Sequence, residues 1–433
     1  MKRVCMIGWE FPPHLNGGLG VACQGLVEAM APLTELRLIL PKTSGIPTSP
    51  DWELKSVQGM RLPEVIGTRR KIITEELRKV NVRMVDVNIS GYERLERVQV
   101  PVEDEEVLIL EKAVYEKAVM RPAGDRFYLA LHYGPDLQDR VTDYAELATL
   151  AALEAPFDVI HAHDWMSFPA GMALKAQTGK PLVLHVHSTE YDRVGPTSKG
   201  WTYQIEKHAF EQADLILAVS QYTADLIHRH YGVPQSKLQV VHNGIQPVQP
   251  YQQAAPFDQP LVVFLGRLTG QKGPDFFFDA ACELLEERER DIRFVIAGKG
   301  DLIESLVLEA EDKALGHRVH FTGFLEPDRV KDLLAMADVF VMPSRSEPFG
   351  LSALEAAQMG VPCIITENAG VGEVLPSALR VPFGEVDTLA DQIEALLDNA
   401  ELRGSVARKQ LIELQQVSWH KAAEQVLEAY ESL

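Results

Sequence analysis

The stretch 338-DVFVMPSRSEPFGLSALEAAQMGVPCIIT-366 decides the fold class. It opens and closes on apolar runs, DVFVMPS and VPCIIT, too continuous for strands with one wet face. Between them lies a segment whose only polar positions from Phe349 onward are Ser352, Glu355 and Gln358, which predicts a short helix starting near Leu351. A strand, a turn, a helix and a second buried strand make a βαβ unit, and such units imply a parallel sheet with helices on both faces. The same stretch raises a question of charge. No Lys or Arg occurs between Ser346 and Leu379, so no cation closely follows Glu347 and Glu355 in sequence.

Outward from there the pattern repeats. Strand candidates are 3–8, 35–40, 158–163, 181–187 and 214–220 in the first half, and 260–266, 292–298, 318–323, 338–344 and 361–366 in the second. A chain of 433 residues exceeds one ordinary core, so two domains are expected. The segment 246–260, QPVQPYQQAAPFDQP, lacks periodicity and reads as the linker. The expected division is 1–250, 251–415, and a terminal amphipathic helix within 416–433 that packs back on the first domain. Residues 44–110 read as an irregular insertion. The reading is two doubly wound α/β domains with a cleft between them, and ligands of such folds sit at the carboxyl ends of the strands.

The formal charge of −20 disfavours nucleic acid and anionic membranes as partners. A stretch with six basic residues, 67–83, reads as a solvated helix face. The four cysteines are scattered, no signal-peptide core follows the first residues, and no window approaches a membrane span. A cytoplasmic protein is expected.

Three groups of residues could carry chemistry. In SEPFG the helix N-terminus at Gly350 and Leu351 offers backbone N–H groups to an anion, and a half-buried Glu355 needs hydrogen-bond donors, which sugar hydroxyls or a neighbouring loop would supply. In 264-FLGRLTGQKGPD-275, Arg267 and Lys272 follow a strand and suit an oxyanion, although surface solubility explains them equally. HAHDW (161–165) and HVHSTE (185–190) place four histidines at strand ends. They invite a metal, but hydrogen-bonding histidines are the favoured reading, and no DxD triplet exists for Mg²⁺. Neither 296-IAGKGD-301 nor 16-NGGLGVAC-23 completes a dinucleotide fingerprint, so a dehydrogenase is disfavoured, and the Asn16–Gly20 turn is expected to lie over a phosphate or sugar.

Taken together, EPFGLSALEA with its E-x7-E spacing, the GRL…KG loop, FTGF (321–324), the first glycine loop and HAHDW resemble the retaining GT-B glycosyltransferases, a large family that includes sucrose synthases and some glycogen synthases. The resemblance implies two Rossmann-like domains facing a central cleft and a nucleotide-diphosphate sugar as donor, ADP- or UDP-linked, with no cofactor and no metal. It implies donor-binding roles for Gly18, Leu325, Gly350, Leu351 and Glu355, with Glu355 on the ribose hydroxyls and Leu325 near the base. It gives Glu347 and His163 places beside the transferred sugar, and Arg267 and Lys272 the diphosphate. A front-face route with retention is then expected. The opening GWEFPPHLNGGLG is similar to glycogen-synthase-like members, which points to glucose and an α-glucan acceptor. Leu15-Asn16 stands where many such synthases carry a lysine before the glycines. A different sugar with a small or lipid-linked acceptor, or a nucleotide-sugar 2-epimerase, are the alternatives.

Overall fold

A computed structural model describes residues 1–14, 17–47, 49–61, 129, 137–197 and 199–433. The basic stretch 67–83 and most of the 44–110 region lie outside the described residues.

The first sheet has seven strands: β1 (Arg3–Ile7), β2 (Glu35–Leu40), β3 (Trp52–Ser56), β4 (Val159–His163), β5 (Leu182–Val186), β6 (Leu215–Ala218) and β7 (Leu238–Val240). Their order is β3-β2-β1-β4-β5-β6-β7, all parallel. The second sheet is β10-β9-β8-β11-β12-β13, again parallel. Its strands are β8 (Leu261–Leu265), β9 (Arg293–Ala297), β10 (Val319–Gly323), β11 (Val339–Met342), β12 (Cys363–Thr366) and β13 (Leu379–Val381). In each sheet the order reverses at one place, between β1 and β4 and between β8 and β11. At such a switch point the loops part and leave a crevice beyond the carboxyl ends.

The interior strands VIHAH, LILA, LVLHV, VFVM and CIIT are buried at every position, which is why they read as unbroken apolar runs. The three strands the sequence did not signal, WELKS, LQV and LRV, are all outermost and carry polar or half-exposed residues, because an edge strand is covered on fewer sides. Around the second sheet, Phe264, Phe276, Phe277, Phe278 and Phe294 fill one core, with Phe277 and Phe294 edge to face at 5.8 Å. Each buried phenyl contributes roughly 1.5–3 kcal/mol.

The chain forms two compact units: Met1–Val219 with Ala224–Val241 and Ala422–Leu433, and Ser220–Thr223 with His242–Lys421. The boundary thus falls near 241 rather than 250, and 416–421 belongs to the second unit. Two observations explain this. The Pro- and Gln-rich segment 246–260 is anchored on the second unit, where Gln253 N–H donates to Ala335 O and Gln246 O accepts from Gln358 Nε2. A Cβ on Gly244 would overlap the backbone of Trp419, so the start of the last helix, Trp419–Glu431, is fixed there too. Further along that helix Tyr430 is buried in the first unit against His161.

Residues Ser220–Thr223 join the second unit through specific bonds. Both hydroxyls, Ser220 Oγ and Thr223 Oγ1, donate to Pro348 O at 2.6 and 3.2 Å, and Glu373 accepts the N–H groups of Gln221 and Tyr222. Among the described residues no helix is long and apolar enough to cross a membrane.

Candidate active site

In the second unit the switch point gathers the candidate residues. The loop after β8 runs from Gly266 to Gly273. Gly273 adopts a left-handed φ of 66°, and a Cβ there would sit 2.3 Å from Pro343 O, so only glycine lets this loop lie against the chain leaving β11. Buried Gln271 fastens the two loops: its carbonyl accepts from Arg345 N–H at 2.8 Å and its side chain donates to Ser346 O at 3.1 Å.

That fastening brings Lys272 Nζ to 2.6 Å from Glu347 Oε2. The cation that pairs with Glu347 is therefore 75 residues away in sequence. Ser344 Oγ donates to the same oxygen at 3.0 Å. The main chain of Glu347 is bonded on both sides, its N–H to Asn368 O and its carbonyl to Gly370 N–H. Arg267 lies on the same loop, half-buried, with its guanidinium 3.5 Å from Gln271 Oε1.

The helix Leu351–Gln358 starts immediately after Gly350, whose φ of 113° and whose contact with the Met342 side chain exclude a Cβ. The first N–H groups of a helix have no partners within it, and this helix directly follows the loop on which Lys272 meets Glu347. One turn on, half-buried Glu355 has its pKa pushed up to about 7 by desolvation, with Lys331 pulling it down less. Among the described residues its carboxylate makes no hydrogen bond or ion pair, so no neighbouring loop supplies its donors. Leu325, half-buried, precedes Pro327–Met336, the helix that carries Lys331.

In the first unit, the glycine turn differs from expectation: Gly18 is the first residue of the helix Gly18–Met30, so Gly18 to Gly20 form its opening turn and not a loop. Leu15 and Asn16 lie outside the described residues. His163 ends β4 and is fully buried. The parallel register sets His163 opposite His185, and alternate positions share a face, so His161, His163, His185 and His187 form a block of stacked rings. The histidines do hydrogen-bond one another, His163 Nδ1 with His187 Nε2 at 3.0 Å and His161 Nε2 with His185 Nδ1 at 3.2 Å. Burial drives all four pKa values down. Asp164, in a left-handed conformation, accepts the N–H groups of His187 and Ser188, yet burial lifts its pKa to about 7.

Sequence reasoning missed Gln271, Ser344 and Lys331. Gln271 gains its place from a loop contact 75 residues along the chain, which no local pattern marks.

Residues 246–413 match the family described as Glycosyl transferases group 1, and residues 105–249 match Glycosyltransferase Family 4. The D-inositol 3-phosphate glycosyltransferase of Arthrobacter sp. (strain FB24) is 30% identical over 303 residues, covering 63% of this chain and 70% of that one. The chain belongs to the glycosyltransferases. An uncharacterized glycosyltransferase of Methanocaldococcus jannaschii is 26% identical across 99% of this chain and 97% of its own length. Glycogen synthase of Mycobacterium tuberculosis (strain ATCC 25618 / H37Rv) is 29% identical, covering 59% of this chain and 64% of that protein. Among solved structures, the sucrose-phosphate synthase of Thermosynechococcus elongatus superposes with a TM-score of 0.71 at 19% identity, over 100% of this chain and 99% of that one. This glycosyltransferase has the GT-B α/β fold.

Proposed function

We propose that this glycosyltransferase moves a hexose, glucose in our reading, from a nucleotide-diphosphate sugar to an α-glucan or related saccharide, with retention at the anomeric carbon and no metal in the transfer step. The observation that carries the reading is Glu355, a desolvated carboxylate that among the described residues has no hydrogen-bond or ion-pair partner, one turn into the helix that follows the loop on which Lys272 pairs with Glu347. Ribose hydroxyls are neutral donors and would satisfy it without bringing a cation. Arg267, Lys272 and the N–H groups at Gly350 and Leu351 suit the diphosphate, whose charge grows as the sugar leaves. Leu325 is read as lying near the base.

In the first unit, His163 is the candidate for a hydroxyl of the transferred sugar and Gly18 for its phosphate side. In the front-face route the bond from the anomeric carbon to the phosphate oxygen breaks as the acceptor oxygen bonds the same face, and the acceptor's proton passes to the leaving phosphate. An inverted product would refute this route.

A product assay with radiolabelled ADP-glucose and UDP-glucose, each with and without glycogen, tests the reading. Glucan-bound label from one donor, abolished by Glu355→Ala, is the expected result. Nucleotide release without incorporation would discard the glucan acceptor, and a C2-epimerised sugar nucleotide would discard transfer itself. Silence with both donors would move the reading to another sugar.

A further inference from the structure

The histidine block of the first unit satisfies only part of its own hydrogen-bonding capacity. His161 is fully used, one ring nitrogen on the Tyr430 hydroxyl and the other on His185. His163 Nε2, His185 Nε2 and His187 Nδ1 are buried with no partner among the described residues. An orphaned buried polar atom is costly, and three within one stack ask for a group that would occupy them.

The surroundings specify its chemistry. The imidazoles are held neutral, so each can give a lone pair once the hydrogen bond between His163 Nδ1 and His187 Nε2 is released. Buried Cys23, on the helix over β1, lies close enough to Asp164 and Glu10 for both carboxylates to act on its thiol. Arg193 is the cation acting on Asp164. Lone pairs, a sulfur and two buried acids favour an electron-poor ligand over an anion or a hydroxyl.

We propose that Cys23, His163 and His187 bind one borderline-soft divalent transition-metal ion, with zinc as the reference case. The Cys23 sulfur and one ring nitrogen from each histidine lie within 4.8 Å of one another. Ligand atoms around a tetrahedral zinc, with Zn–N of about 2.0–2.1 Å and Zn–S of about 2.3 Å, are roughly 3.3–3.8 Å apart, so closure needs a shift of about an ångström. A second set, His161, His163 and His185, is equally compact, but His161 has no nitrogen to spare. His187 is half-buried and gives the ion a way in, and the fourth position is left to water. On binding, the Cys23 S–H bond breaks, its proton goes to solvent, and the thiolate takes the metal. The ion is not a participant in glycosyl transfer: on His163 it would compete with the sugar hydroxyl proposed for that residue, and the inference does not depend on which sugar is moved.

The test is a cobalt(II) titration of the untagged, metal-stripped full chain, read by absorbance, with zinc uptake counted by elemental analysis. One equivalent, with a thiolate-to-cobalt charge-transfer band and the intense visible bands of a tetrahedral ion, is expected. Cys23→Ser should abolish the charge-transfer band, and His187→Gln should weaken uptake at least ~10-fold, while the exposed control His420→Gln changes neither. Unaltered circular dichroism shows that a variant is folded, and the wild-type spectrum decides if one is not. Uptake well below one equivalent, or a band that survives in Cys23→Ser, would overturn the proposal.

Discussion

Glu355 makes a prediction that runs against the usual effect of removing a site residue: Glu355→Met should stabilise the ligand-free protein while abolishing donor binding. The folded pKa of about 7 stands above the ordinary value of 4.5. A raised carboxyl pKa means that the unfolded chain ionises first, so the fold is penalised from pH 4.5 upward and the penalty is complete above 7. From those two values the penalty is about 1 kcal/mol at pH 5 and about 3 kcal/mol at pH 8, each pKa unit being worth about 1.36 kcal/mol. Methionine fills a similar volume and has no charge to desolvate. Urea unfolding of wild type and variant at both pH values gives a double difference in which the other titrating groups cancel. The variant should gain about 2 kcal/mol more at pH 8 than at pH 5. An equal gain at both, or a loss at pH 8, would show that Glu355 is compensated within the fold and would remove the main support for its role in donor recognition.

Saturating donor should raise wild-type stability by about 2.7 kcal/mol at a hundred times its dissociation constant, a shift that thermal unfolding should not detect in Glu355→Met. Lys272→Met leaves Glu347 with only the Ser344 hydroxyl, and the loss of one partner of a mostly buried pair should destabilise by about 3–5 kcal/mol. Adding Glu347→Leu should recover much of that, and strictly additive losses in the cycle would contradict the pairing. Gly298→Ala should fail to give folded protein at 37 °C, because its Cβ would stand 1.8 Å from Gly266 O. Circular dichroism and yield would check this, and a well-folded variant would mean that the two loops are not packed as described.

How much of this was legible depended on whether a residue's role is local. The interior strands announce themselves because both faces are covered, and the helix after Gly350 because its polar positions are few. The edge strands WELKS, LQV and LRV do not, since half-exposed strands of three to five residues carry neither an apolar run nor a clean alternation. Among the candidate site residues, Arg267 and His163 could be placed from their positions at strand ends, and Gly350 from its position just before a helix. The Lys272–Glu347 pair could not, because Gln271 creates it by joining two loops that sequence order keeps apart. The same holds for the histidines: their alternation is visible, but the block exists only once the register sets His163 against His185. The unit boundary moved for a related reason. Pro and Gln suggested a free linker at 246–260, while the hydrogen bonds at Gln246 and Gln253 tie it to one side.

The two glutamates of the E-x7-E pair have different physics, and this yields a last prediction. Glu347 is compensated by Lys272; Glu355 is not. An ammonium has three N–H donors, and Glu347 uses one of them at 2.6 Å, which leaves two for a phosphate oxygen. Charge, however, is shared in a way that hydrogen bonds are not. Arg267, Lys272 and Glu347 together present a net charge of about +1 to an incoming diphosphate, where the two cations alone would present about +2. At an effective dielectric of about 20, a carboxylate about 7 Å from one unit of phosphate charge would oppose its binding by about 2 kcal/mol. Glu347→Gln keeps the hydrogen-bonding capacity and removes that opposition. The variant should therefore bind ADP or UDP roughly 30-fold more tightly by calorimetry, while transfer from the sugar nucleotide falls sharply because the carboxylate read as facing the sugar is gone. Tighter product and slower turnover would mark Glu347 as a group that tempers diphosphate affinity while serving the sugar. Weaker nucleotide binding in Glu347→Gln would mean instead that its charge chiefly positions Lys272, and the division of roles between the two glutamates would have to be redrawn.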